Sequence, residues 1–255
     1  MGTIGAASTA LVAVLLSVPA AWAGDMAGVS NSGVDWSGFY VGVQGGKAFS
    51  VIDRDSLVAD VESQFQQFSC SGGLCDGRRD AFIGGLTVGY NAYYADGSLL
   101  GVEADFSYSG LDDDLTATGI SALGPGQRMV ANGHLRLQTP FIGTARVRMG
   151  YAFGRVLPFI TAGVAVTYSN VEGGSDGTLE VQQPSGAFVP VDGASTSYGG
   201  SGFTAGWTAG GGAEYALSDD WSAKVDYLYV DLIGSDLGDP PPKLHLWRAG
   251  LNYRF

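Results

Sequence analysis

The 255-residue chain holds only two histidines and two cysteines, and its acidic residues outnumber its basic ones 25 to 13. So few imidazoles and thiols leave little material for a metal centre or for the nucleophile and base of hydrolytic catalysis. A net charge of −12 repels a polyphosphate backbone, so nucleic acid is not expected as a partner. Long hydrophobic runs are also missing beyond the first two dozen residues. None there reaches the roughly 18 apolar residues that a spanning helix needs, which excludes a helical membrane protein.

What the chain has in abundance is glycine, 41 residues, together with 11% aromatics, a composition suited to β-structure. One β domain is the economical reading of this length. Residues Ala6 to Ala23 form an apolar run ending Ala21-Trp22-Ala23, the small-x-small pattern of signal peptidase cleavage. Residues 1–23 therefore read as a signal peptide, 24–35 as a periplasmic leader, and 36–255 as the folded domain. The segment Met1-Gly2-Thr3-Ile4-Gly5 carries no Lys or Arg, so a retained anchor or an upstream start competes with this reading.

Eight segments of about ten residues alternate small or polar with apolar or aromatic side chains, near 38–49, 81–90, 99–108, 140–152, 157–168, 204–217, 221–231 and 244–255. Each is long enough to cross a bilayer as a tilted strand. The connections 50–80, 109–139, 169–203 and 232–243 are long and polar, whereas 91–98, 153–156 and 218–220 are short. That asymmetry predicts an all-β, eight-stranded antiparallel up-and-down transmembrane barrel, with long extracellular loops and short periplasmic turns, in the bacterial outer membrane. Parity then assigns the faces. Leu100, Val102, Ala104, Phe106 and Tyr108 oppose Glu103 and Asp105, and Ala145, Val147, Met149 and Tyr151 oppose Arg146 and Arg148. An Arg turned to the bilayer midplane would cost roughly 2–4 kcal/mol, so the charged face points inward. The final segment behaves alike: Trp247, Ala249, Leu251 and Tyr253 oppose Leu246, Arg248, Gly250, Asn252 and Arg254.

The inward charges collected this way are Glu103, Asp105, Glu214 and Asp226 against Arg146, Arg148, Lys224 and Arg248, which sum to zero. Eight strands leave an interior that side chains can fill. The expected function is thus a structural or surface role in the cell envelope, with a lumen largely plugged by a neutral charge network; the alternative is a narrow porin-type channel for ions or small solutes. Lys47 and Asp231 fall on the lipid parity near strand ends, where snorkelling, or a bulge at Gly45-Gly46, would accommodate them. Trp36, Phe39, Tyr90, Tyr93, Tyr94, Tyr151, Phe153, Tyr215, Trp221, Tyr253 and Phe255 gather beside the short turns and read as an interfacial girdle.

Cys70 and Cys75 lie in the first long connection, and an exported chain favours a local disulfide there; a metal pair would lack histidine ligands. His134 and His245 have no catalytic constellation, and Gly210-Gly211-Gly212 precedes no helix, so neither an enzyme nor a cofactor or metal site is expected. The long connections carry Asp53, Asp55, Asp60, Glu62, Asp112, Asp113, Asp114, Glu172, Asp176, Glu180, Asp192, Asp236 and Asp239, among which Asp112-Asp113-Asp114 would bridge a divalent cation to lipopolysaccharide or simply form a solvated acidic loop.

The phrases Trp36-Ser37-Gly38-Phe39-Tyr40-Val41-Gly42, Gly101-Val102-Glu103-Ala104-Asp105, Gly143-Thr144-Ala145-Arg146-Val147-Arg148-Met149-Gly150-Tyr151, Lys224-Val225-Asp226-Tyr227-Leu228-Tyr229-Val230-Asp231 and Arg248-Ala249-Gly250-Leu251-Asn252-Tyr253-Arg254-Phe255 occur in this order. Together they resemble the small porin-like outer-membrane proteins of alphaproteobacteria, a branch of the OmpA-like barrel superfamily. The resemblance covers nearly all of Trp36 to Phe255. It implies an eight-stranded barrel embedded among outer-membrane lipid and lipopolysaccharide, no catalysis, and insertion by the barrel-assembly machinery through the aromatic signal Phe255. The cysteine-bearing first loop and the neutral signal peptide depart from the family's common pattern.

Overall fold

The computed structural model describes residues 34–51, 62–72, 75, 78–233 and 243–255. The expected signal peptide, all of the leader before Val34, and Asp53, Asp55, Asp60, Asp236 and Asp239 lie outside the described residues. Among the described residues the strands are β1 (Gly38–Val51), β2 (Gln67–Ser71), β3 (Arg78–Tyr93), β4 (Ser98–Gly124), β5 (Gln127–Tyr151), β6 (Val156–Gln182), β7 (Phe188–Ala216), β8 (Trp221–Ile233) and β9 (Lys243–Arg254). Each barrel strand pairs antiparallel with its neighbours in chain order, β1 pairs with both β3 and β9, and the β4–β5 pairing closes the ring, leaving β2 as an extra strand on the far half of β4. Closure removes the edges that lipid could not satisfy, because unpaired backbone groups in hydrocarbon cost several kcal/mol each.

Strand length departs from the sequence reading. The connections 109–139 and 169–203 are not loops: β4 and β5 run on as a hairpin to a turn at Pro125-Gly126, and β6 and β7 continue to Gln182 and Phe188. Gly126 supplies the positive φ of 71° that the tight turn demands. In these extensions neither face meets lipid, so the apolar alternation fades in stretches such as Thr116-Ala117-Thr118-Gly119, while the hydrogen-bonded ladder continues. Register shifts at Tyr108/Leu111 on β4 and at Gln138/Phe141 on β5 mark where membrane barrel becomes extension. Pro140 sits in the second of them, where a missing N–H does no harm. Of the two accommodations for Lys47, the bulge at Gly45-Gly46 is absent: β1 keeps one unbroken register against β3, with Lys47 opposite Phe82. Lys47 instead stays on the outer face and pairs with Asp80 at 2.9 Å.

Side chains alternate along every barrel strand. Phe39, Val43, Leu86, Phe106, Val147, Ile160, Val225 and Trp247 are among the exposed apolar residues of the outer surface. The interior is layered. At the short-turn end Val34, Trp36, Tyr93, Leu99, Ala152, Leu157 and Ala216 form an apolar cluster. At the opposite end Ala48, Ile83, Leu111, Ile142, Ala165, Leu228, Val230, Leu232, Leu244 and Leu246 form a second. Alternation along the strands points the charges inward, but this second apolar layer takes shape only in the closed ring. Trp36 and Tyr93 correct the girdle expectation: both point inward and are buried, whereas Phe39, Tyr94, Tyr151, Phe153, Tyr215, Trp221 and Phe255 remain on the outside. Trp36 precedes β1, so no strand alternation governed its direction.

Candidate functional site: the buried charge network

All eight inward charges lie between the two apolar layers, and all eight are buried. The backbone register sets some side by side: Glu103 faces Arg146 across β4–β5, Glu214 faces Lys224 across β7–β8, and Asp226 faces Arg248 across β8–β9. The side chains do not simply pair along that register. Arg146 Nη2 donates to Glu103 Oε1 and, at 2.6 Å, to Asp105 Oδ2. Lys224 turns from its strand neighbour and crosses the lumen to Glu103 Oε2 at 2.9 Å, while Arg148 crosses to Glu214 Oε2 at 2.9 Å. Arg248 grips Asp226 with Nε at 3.0 Å and Nη2 at 2.7 Å, and its Nη1 lies 3.0 Å from Asp105 Oδ1.

Neutral side chains complete the network. The Tyr40 hydroxyl donates to Glu103 at 2.6 Å and accepts from Arg148 at 3.1 Å. Thr144 donates to Asp105 at 2.6 Å, and Ser222 and Asn252 both donate to Glu214. The Arg148 guanidinium also lies 4.2 Å from the Phe159 ring centroid, a cation–π distance. Glu103, Asp105 and Glu214 each meet a cation and a neutral donor, and Asp226 is held by two bonds from Arg248, which is what burying a charge requires if it is not to be strongly unfavourable. Sequence reasoning missed Tyr40 and Asn252 as members, although both sit on the inward parity of their strands.

One balance needs correction. Arg254 is buried as well, so among the described residues the interior holds five cations against four carboxylates, and neutrality belongs to the central layer alone. Arg254 stacks 4.4 Å from the centroid of the fully buried Trp36 and donates to the Asp219 carbonyl at 2.9 Å, closing the short-turn mouth. Its place on the inner face was legible from alternation, yet it lies outside the count that gave zero.

Outside the lumen the other expected sites resolve differently. Cys70 and Cys75 form a disulfide, which ties the end of β2 to the segment that follows. Asp112, Asp113 and Asp114 lie within β4, where alternation sends Asp113 to the face opposite its neighbours. Asp112 already accepts two bonds from Arg136, at 2.8 and 2.6 Å, and one from Gln138 at 3.0 Å, so the run does not form one cation cradle. The Asp112 contact holds the Arg136 guanidinium above its ordinary range. Among the described residues no three His, Cys, Asp or Glu side chains converge as metal ligands. His245 Nδ1 lies 2.7 Å from the Tyr227 hydroxyl on the outer face. Phe255, the expected assembly signal, is exposed and meets the Tyr253 ring edge-on with centroids 5.2 Å apart.

The chain is similar to known outer-membrane proteins. The 31 kDa outer-membrane immunogenic protein of Brucella melitensis biotype 1 is 34% identical over 229 residues, covering 86% of this chain and 84% of the relative. The 25 kDa outer-membrane immunogenic protein of Brucella canis is 26% identical over 183 residues, covering 69% and 67%. Among solved structures, neisserial surface protein A aligns with a TM-score of 0.40 at 14% identity, covering 86% of this chain and 98% of that one. The family described as the outer membrane protein beta-barrel domain matches residues 8–255, and this chain belongs to it: it is an outer-membrane β-barrel protein.

Proposed function

We propose that this protein is a structural and surface component of the cell envelope whose lumen is closed to solutes. One observation carries the reading: ion pairs that span the lumen from β4 to β8 and from β5 to β7 are sealed between two apolar clusters. A solute would have to break several buried pairs at once, and each broken pair would leave an uncompensated charge in low dielectric. The outer face contacts lipid and lipopolysaccharide through its aromatic ring, and the barrel-assembly machinery engages the chain through exposed Phe255. No catalytic role is part of this reading: His245 meets the Tyr227 hydroxyl on the outer face, and the lumen's carboxylates are engaged by Arg, Lys and hydroxyl groups. The acidic surface argues against nucleic acid.

A second reading, a narrow ion channel, is favoured by one detail. Arg146 Nε and Arg148 Nε are buried with no hydrogen-bond partner among the described residues, and such donors call for water. Planar-bilayer recordings separate the two. Wild-type protein is expected to give no unitary steps, and Glu103→Ala with Arg146→Ala is expected to open them. Stable wild-type conductance whose ion selectivity shifts in Glu103→Gln would overturn closure and establish the channel.

A further inference from the structure

Beyond the barrel rim β4, β5, β6 and β7 continue as one sheet, and its last strand has only one neighbour. β7 pairs with β6 from Phe188 onward, but β8 joins it only from Ala205. Among the described residues, the far side of β7 from Phe188 to Thr204 makes no strand pairing, and Val189 to Ser201 are exposed without exception. Natural sheets guard such edges with lysine, proline, bulges or charge. Here the guards are confined to the tip: Pro190, Asp192 and the register shift at Leu179/Glu180. From Gly193 to Thr204 there is no Pro and no ionisable group other than Tyr198, over about 40 Å of strand at roughly 3.3 Å per residue.

The face beside this edge has a definite charge. Gly199 is the register partner of Glu172 and Ser195 that of Asp176, so only a hydrogen and a hydroxymethyl group separate those carboxylates from the edge. The Arg136 guanidinium near Glu172 is already engaged by Asp112, and Asp176 makes no ion pair among the described residues. A strand laid antiparallel along β7 would run parallel to β6. Its residues opposite Gly199 and Ser195 would stand four apart on one face, each looking over a small residue toward a carboxylate.

We propose that the Gly193–Thr204 edge of β7 is a docking site for a cationic peptide segment that adds as a further strand, with Lys or Arg four positions apart facing Glu172 and Asp176. Backbone hydrogen bonds supply the attachment and the two carboxylates supply the selectivity, the division of labour usual in strand addition. A second copy of this chain is a poorer occupant. Two copies standing the same way up in one membrane bring their β7 edges together in parallel, and neither edge offers the positive charge that Glu172 and Asp176 lack.

The test uses the full barrel in detergent micelles and three fluorescein-labelled ten-residue peptides of Thr and Val: one with two Lys four apart, one with Glu in their place, and the Lys peptide with alternate backbone nitrogens methylated. Fluorescence anisotropy should show binding of the first alone. Glu172→Gln with Asp176→Asn should weaken it about two- to thirtyfold, the range of two exposed ion pairs, and raised salt should do the same to wild type. Gly199→Lys, which leaves both carboxylates present but guards the edge, should abolish it. Heat-modifiable gel mobility confirms that each variant is folded. No binding of the Lys peptide, equal binding of the N-methylated peptide, or binding indifferent to both variants would overturn the proposal, the last two by revealing general attraction to an acidic surface.

Discussion

Replacing Glu103 with Gln tests the centre of the lumen directly. Its Oε2 accepts Lys224 at 2.9 Å and Tyr40 at 2.6 Å, its Oε1 accepts Arg146, and Arg148 stands 3.6 Å away. The neutral amide keeps the volume but removes the charge that three cations share, and its NH₂ group points at donors whichever way it turns. Lys224 is then left with Asp226 at 3.9 Å as its remaining carboxylate. Breaking one partner of a buried pair costs about 3–5 kcal/mol, a large part of the roughly 5–15 kcal/mol that holds a domain folded. Reversible urea unfolding in phospholipid vesicles, followed by tryptophan fluorescence, measures the loss. Adding Lys224→Met should recover about 1–3 kcal/mol relative to the sum of the single variants, because the stranded ammonium is removed with its partner. A loss for Glu103→Gln below about 1 kcal/mol, the worth of an exposed pair, would mean that water screens these charges and that the lumen is open.

Other perturbations probe the remaining parts of the fold. Leu228→Ala, in the apolar layer beyond the charges, should lower unfolding stability by about 2–5 kcal/mol and leave the ion pairs intact; an unchanged urea midpoint would show that this layer is not packed. Cys70→Ser with Cys75→Ser should leave the barrel's melting unchanged while speeding protease cleavage between residues 62 and 77, read by mass spectrometry; a large fall in melting temperature would contradict the placement of the disulfide outside the barrel. In the β3–β4 turn the Ser98 hydroxyl and N–H donate to Asp96 at 2.6 and 2.9 Å and hold its carboxyl below the usual range. A depressed folded-state pKa stabilises above the unfolded value and ceases to do so as pH falls through the folded one. Asp96→Asn should therefore be slightly less stable than wild type at neutral pH, with the difference fading as pH falls below about 4; a difference that persists undiminished in strong acid would refute the assignment.

Much of this protein was legible from side-chain alternation alone. The barrel strands, the inward direction of Glu103, Asp105, Arg146, Arg148, Glu214, Lys224, Asp226 and Arg248, and the unequal connections all follow from period-two patterning against a bilayer, which makes a charged outer face too unfavourable to persist. That signal has a limit at the membrane. Once β4 to β7 leave it, both faces meet water, the pattern weakens, and the long hairpins with their open β7 edge became visible only in the pairing register. The same holds inside the lumen. Alternation says which residues point inward, but Lys224 reaching Glu103 and Arg148 reaching Glu214 depend on closure, which brings strands distant along the chain within one side chain's reach. Trp36, ahead of any strand, took its inward position from the stacked Arg254, a contact that no local pattern encodes. Sequence by itself determined which face each strand residue takes, because period-two geometry is local; tertiary structure decided which charges meet and how far the strands run, because both depend on closing the ring.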